Sequence, residues 1–131
     1  MEALDRYDVS FDERLVSTAH FEIESATTAV DALIAQDVKL DAIFACSDVI
    51  AMGAIRSLTR HGIRVPEDVS VVGYDDVMMA RYSRPALTTV RQDLARAGRL
   101  MVSKLLNAKT GREMVSERLD TDIIVRESCG A

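Results

Sequence analysis

The sequence predicts an α/β fold with a mostly parallel sheet, and three observations carry that prediction. Short continuous apolar runs, AIFAC at 42–46 and VSVVGY at 69–74, are of the kind found in strands buried on both faces. Segments with apolar residues at helical spacing alternate with them. Hydrophobic residues make up 48% of the 131 positions and charged residues 28%, which is enough apolar matter for one packed core and too much for a disordered tail. A chain of this length normally forms one domain and buries about two thirds of its unfolded surface.

The elements follow in order. RLVSTAHF (14–21) is β-rich and reads as a strand. Ser25 precedes ATTAVDALIAQ, where Ala29, Leu33 and either Val30 or Ile34 recur at helical spacing. Asp41 leads into the strand 42–46. Ser47 is a good N-cap, Asp48 suits the positive first turn, and Ala51, Ile55 and Leu58 form an apolar stripe. Arg60 and His61 suit a last turn and Gly62 a C′ position, so the spacing predicts a helix over 48–61. A turn around Pro66 leads to the strand 69–74, which ends at Asp75-Asp76. MMARYSRPA (78–86) suggests one helical turn before Pro85, and LTTVRQ (87–92) a short strand. A second amphipathic helix is predicted over 93–110, with Leu94, Ala97, Met101 and Leu105 on one face and Gly111 ending it. After the polar linker REMVSE (112–117), RLDTDIIVRES gives a last strand.

Charge and composition remove several functions. The net charge of −5 argues against gripping a phosphate backbone. No apolar run approaches the ~18 residues of a membrane span, so no membrane role is expected. MEALDRYDVS lacks an apolar signal region, and a cytoplasmic location is expected. Cys46 and Cys129 are too few for a disulfide scaffold or a metal cluster; Cys46 reads as a small buried hydrophobe and Cys129 as a frayed thiol. No metal, cofactor or catalytic residue is expected. Neither a nucleophile elbow, nor a Walker loop, nor a GxGxxG after a strand is present, and Ser47, His20 and an aspartate have no spacing that points to a triad. An acidic pair at a strand end also suits the Mg²⁺ site of receiver domains, but there it comes near the first strand, and here it follows the third.

In open parallel sheets ligands bind outside the carboxyl ends of the strands, and right-handed crossovers place those ends at one edge. His20-Phe21, Ser47-Asp48 and Asp75-Asp76 are the three ends. They gather a ring, a hydroxyl, carboxylates and an imidazole, which suits a small polyhydroxyl or heterocyclic molecule. Each residue also has a plainer role. Asp75 and Asp76 can cap a turn, Ser47 an N-terminus, and Asp48 can complement a helix dipole. Phe21 can belong to the core and His20 to the surface; Met78, Met79 and Tyr82 fit a core or a partner surface, with core the default.

Segments 41–54 (DAIFACSDVIAMGA), 62–76 (GIRVPEDVSVVGYDD) and 85–93 (PALTTVRQD), Gly98, and the closing IIVRES (123–128) resemble the LacI/GalR family of transcription regulators in order and spacing. The resemblance implies an effector domain of the periplasmic-binding-protein-like type, with two α/β subdomains around a cleft whose ligand alters DNA affinity. The fold implied is a three-layer parallel-sheet subdomain, incomplete at the N-terminus. Residues 1–86 and 116–131 would form the C-terminal subdomain, and 87–115 would belong to the N-terminal one. Asp75 matches the position that holds effector polar groups, Phe21 the stacking aromatic, Ser47 a cleft-lining position and Asp48 a structural one; His20 and Asp76 are further candidates.

Family members carry a helix-turn-helix headpiece, a hinge helix and an effector-gripping Arg before this point, so the chain is expected to be a C-terminal fragment that reaches DNA only through a headpiece outside it. Met1–Tyr7 would end the helix after an absent interior strand, and ESAT (24–27) replaces the expected ESGY. The effector class expected is a sugar or a nucleobase. The unpartnered helix 93–110 points to self-association, by exchange of that helix or of the last strand. A free-standing sugar-binding protein of the same fold and a nonfunctional remnant are the alternative readings.

Overall fold

The computed structural model describes residues 2–36, 38–111 and 115–131. Four helices, α1 (Glu2–Arg6), α2 (Ile23–Ala35), α3 (Asp48–Arg60) and α4 (Leu94–Lys109), accompany four strands, β1 (Ala42–Phe44), β2 (Ser70–Tyr74), β3 (Thr88–Gln92) and β4 (Thr121–Ile124). The sheet runs in the order β1-β2-β3-β4. β1, β2 and β3 are parallel, with Ile43 opposite Val71 and Gly73 opposite Thr89, and β4 returns antiparallel with Val90 opposite Ile123. The mixed α/β class is as the sequence predicts.

The core lies between the sheet and α3, with α2 packed on α3. Ala51, Ile55 and Leu58 of α3, Val30 of α2, Val71 of β2 and Leu87 form one buried cluster. α2 and α3 run side by side in the same direction, with Gly53 beside Ile23 and Ala26 and, one turn on, Ser57 beside Asp31. Arg56 pairs with Glu24 at 2.8 Å, the Thr27 hydroxyl donates to the Gly53 carbonyl at 3.2 Å, and the Ser57 hydroxyl donates to Asp31 at 2.5 Å. Gly53 permits this approach: a Cβ there would lie 2.5 Å from Ala26 Cβ and 2.6 Å from the Ile23 carbonyl oxygen.

Several expectations are corrected. Residues 14–21 are not a strand. Glu13–Leu15 form one 3-10 turn, 16–20 pair with no strand among the described residues, and Val16 is exposed. β-propensity expresses fit to a pleated, half-buried surface, and this segment has no such neighbour. β1 is correspondingly an edge strand with Ala42 and Phe44 exposed, not a strand buried on both faces. On that edge the pleat buries Ala45 and turns Cys46 outward, so Cys46 is exposed. Cys129 is not frayed: it is half-buried, its sulfur accepting from the Thr88 hydroxyl at 3.2 Å and its carbonyl from Ser70 at 3.3 Å. Met78–Arg81 make a 3-10 turn anchored by buried Ala80, which leaves Met78, Met79 and Tyr82 exposed and outside the core. α2 starts three residues earlier than its apolar spacing suggests, and β4 is the short middle of the predicted last strand. Of the linker 112–117, residues 112–114 lie outside the described residues.

α4 forms where predicted and touches little. None of its described residues is buried, and Leu94, Met101, Val102, Leu105 and Leu106 are exposed. Ion pairs from Arg96 and Lys104 to Glu117, at 3.5 and 3.9 Å, tie it to the segment before β4. Between them lies an open groove of about 520 Å³. No helix among the described residues is long and apolar enough to cross a membrane.

Candidate functional site

The carboxyl ends of β1, β2 and β3 meet at one edge, where hydrogen bonds tie Asp48, Asp75 and Asp76 to β3. Ser47, after β1, caps α3: its side-chain oxygen accepts from the Ile50 N–H at 3.2 Å. The next residue, Asp48, is 0% exposed and serves β3 and the loop after β2. One carboxylate oxygen accepts from the Thr89 hydroxyl at 2.5 Å, and the other from the Val77 N–H at 2.8 Å. Burial raises the Asp48 carboxyl above its ordinary range, the bonds from Thr89 and Val77 oppose the rise, and the charges of Asp75 and Asp76 add to it. Gly73 makes room for this carboxylate, since a Cβ there would fall within 2.4 Å of the Asp48 oxygen.

Asp75 and Asp76 follow β2 with φ of 115° and 53°. Left-handed backbone costs an ordinary residue roughly 1–2 kcal/mol, less for aspartate, and persists when its surroundings fix it. Here the Asp75 N–H donates to the Val90 carbonyl at 2.8 Å and the Asp76 N–H to the Thr89 hydroxyl at 3.4 Å. Gln92 at the end of β3 donates from Nε2 to Asp75 Oδ1 at 3.0 Å, leaving the half-buried carboxylate further lone pairs. Asp76 is set apart from it by enclosure, since a ligand cannot reach its remaining lone pairs. It is paired at 2.5 Å with Arg126, and the side chains are 4% and 14% exposed.

Phe21 and His20 stand outside this network. They precede α2, whose first turn packs beside Gly53, so they lie at the end of the helix layer where α3 also begins. The Phe21 ring is 73% exposed, which removes the core reading of it. His20 is exposed, and its N–H donates to the Ser25 side chain at 2.9 Å. The structure therefore brings together Ser47, Asp48, Asp75 and Asp76, and gives them unequal freedom. Gln92 and Arg126 complete the network without having been singled out in the sequence. The position of Gln92 at the third parallel strand's carboxyl end is a readable signal; so is an arginine inside the apolar run IIVRES.

The chemistry at this edge is that of a carboxylate with open lone pairs held by an amide, which is able to accept from hydroxyl donors. Residues 2–129 match the family model of the periplasmic binding protein-like domain, and the chain belongs to that family. Within it, its relatives are LacI-family transcription regulators, and the chain corresponds to part of their effector-binding domain.

The HTH-type transcriptional regulator CelR of Thermobifida fusca is 41% identical over 129 residues, 97% of this chain and 38% of CelR. A structure of the CelR–cellobiose complex superposes with a TM-score of 0.88 at 40% identity, over 97% of this chain and 39% of that one. The HTH-type transcriptional repressor PurR of Haemophilus influenzae is 36% identical, over 96% of this chain and 39% of PurR. A LacI-family regulator of Enterococcus faecium with bound ribose gives a TM-score of 0.83 at 29% identity, over 97% of this chain and 47% of that one. The chain thus spans about two fifths of the curated relatives it matches. Those relatives are regulators and not enzymes.

Proposed function

We propose that this chain is the effector-sensing part of a LacI-type regulator and takes a sugar-class effector at the carboxyl edge of its sheet. It works by binding and not by catalysis. The observation that carries the reading is the unequal engagement of three neighbouring carboxylates: Asp48 and Asp76 are enclosed in the fold, while Asp75 is held by Gln92 with lone pairs open. Asp75 accepts from effector hydroxyls and Phe21 covers the C–H face of the ring, while Ser47, 2% exposed, caps α3 beneath them. Asp48 and Asp76 support the loop, and His20 flanks the ring. Cellobiose and ribose, bound to two of the relatives, are the first sugars to try.

DNA contact lies outside this chain, whose net charge of −5 is unsuited to it. The location that goes with a regulator is the cytoplasm. Residues 1–86 and 116–131 form one subdomain; of the segment 87–115, Leu87 and β3 stay in its core and sheet, and α4 carries its apolar face to a surface beyond these elements. A second copy of the chain is such a surface, and self-association follows.

Titration of the labelled chain with cellobiose and with ribose, followed by NMR, tests the site. Signals of Asp75, Gln92 and Phe21 are expected to move, and Asp75→Ala to weaken the response at least ~10-fold, as loss of a charged acceptor does. No movement at these residues with either sugar overturns the reading. Light scattering tests self-association; a monodisperse monomer at high concentration overturns that part.

A further inference from the structure

The turn that carries Asp75 is held from the far end of the chain. Arg126 donates from Nη2 to Asp76 Oδ1 at 2.5 Å and from Nη1 to the Leu87 carbonyl at 2.7 Å, and its own N–H donates to the Thr88 hydroxyl at 2.8 Å. Its place is set in turn by Ser128. The Ser128 hydroxyl donates to the Val71 carbonyl at 2.6 Å and accepts from the Thr88 N–H at 2.9 Å, and the Ser128 N–H donates to the Ala86 carbonyl at 3.0 Å. Arg126 is thus fixed against β2 and β3 before it reaches Asp76.

We propose that Arg126 is a positioning residue for the effector carboxylate: by clamping Asp76 to the Leu87 carbonyl, it imposes the left-handed turn that presents Asp75 to the ligand. The inference rests on the reading of Asp75 given above. Asp76 is almost wholly enclosed, so without the guanidinium it is a buried unpaired charge and the loop must open to hydrate it. Asp75 is its covalent neighbour, in a backbone region that aspartate enters only when held. Opening at Asp76 therefore releases Asp75 from the Gln92 amide. The rigid fork of arginine reaches two acceptors in different directions, which a lysine ammonium on a flexible stem does not reproduce.

The test uses Arg126→Met, Arg126→Lys and Asp76→Asn in this chain, with NMR and cellobiose titration as readouts. In Arg126→Met the Asp75 amide and Cα signals and the Gln92 side-chain amide are expected to move while signals of the Leu58 core stay in place, and cellobiose affinity to fall at least ~10-fold. Arg126→Lys is expected to fall between it and wild type. An Arg126 that only stabilises the fold lowers the melting temperature and leaves the Asp75 and Gln92 signals and the affinity unchanged; that result overturns the proposal. Should Arg126→Met not fold, Asp76→Asn keeps the side-chain volume, removes the buried charge and carries the same readouts. A wild-type chain that responds to no sugar defeats the functional reading alone, since the Asp75 and Gln92 signals still decide the positioning role.

Discussion

α3 and α4 are built by the same local rules and meet opposite fates. Each opens on a side-chain cap, Ser47 accepting from the Ile50 N–H at 3.2 Å and Asp93 from the Arg96 N–H at 2.8 Å. Each has an internal glycine and a basic last turn, and each is followed by a glycine at φ 72°. Yet α3 buries Ala51, Ala54, Ile55 and Leu58, while α4 buries none of its residues. Capping and periodicity make a helix amphipathic; they do not name the surface that its apolar face covers. That surface comes from elements distant in sequence, here β2 and α2 for α3. For α4, no described element supplies it.

Truncating a leucine on each helix produces the largest contrast. Leu58→Ala removes a fully buried side chain and is expected to lower stability by about 2–5 kcal/mol in urea unfolding. Leu105→Ala, at a position 64% exposed in the single chain, is expected to change it by no more than about 0.5 kcal/mol at concentrations low enough to keep the chain monomeric. A loss at Leu105 that grows with protein concentration, together with a drop in particle mass, is what self-association through α4 predicts, and a loss that stays small at every concentration counts against it.

A smaller pair of effects carries opposite signs. In Gly53→Ala the new methyl meets Ala26 and the Ile23 carbonyl at 2.5 and 2.6 Å, both on packed backbone-bearing structure, so α2 and α3 must separate; about 1–3 kcal/mol of stability is lost. In Gly98→Ala nothing lies within 4 Å, and helix propensity alone yields a gain of about 0.5–1 kcal/mol. Thermal unfolding of both variants measures this, and destabilisation by Gly98→Ala shows a close partner on that face of α4.

The same distinction explains what the sequence made legible. α3, with its cap, its stripe of Ala51, Ile55 and Leu58 and its closing Gly62, was readable because each signal acts within a few residues. The edge holding Ser47, Asp48, Asp75 and Asp76 was readable because parallel strands put their carboxyl ends together. The absence of a strand at 14–21 was not, since pairing depends on a neighbour the segment itself does not encode. Nor did spacing show which carboxylate stays open. Asp48 reads as a dipole residue until Thr89 and Val77 reach it from 41 and 29 positions away, and Asp76 as a surface acid until Arg126 arrives from 50.

The helix starts give the finest test, because an acid stands at each: Asp48 within the core and Asp93 in the open. Asp93→Asn exchanges one good cap for another at an exposed site and is expected to change stability by a few tenths of a kcal/mol at most. Asp48→Asn keeps the shape as well: its amide oxygen accepts from the Val77 N–H and its NH₂ donates to the Thr89 oxygen, so the fold survives. What changes is the response to pH. Burial places the folded carboxyl above its ordinary value of 3.8, so the folded state holds this proton more tightly than the unfolded state does. The stability linked to that proton is complete below about 3.8 and is lost as pH climbs through the raised value. Urea unfolding across that interval is therefore expected to show Asp48→Asn gaining on the wild type as pH rises, then running parallel to it once the carboxyl is ionised. A difference between the two that stays flat with pH means the Thr89 and Val77 hydrogen bonds offset both the desolvation of the carboxylate and its repulsion by Asp75 and Asp76.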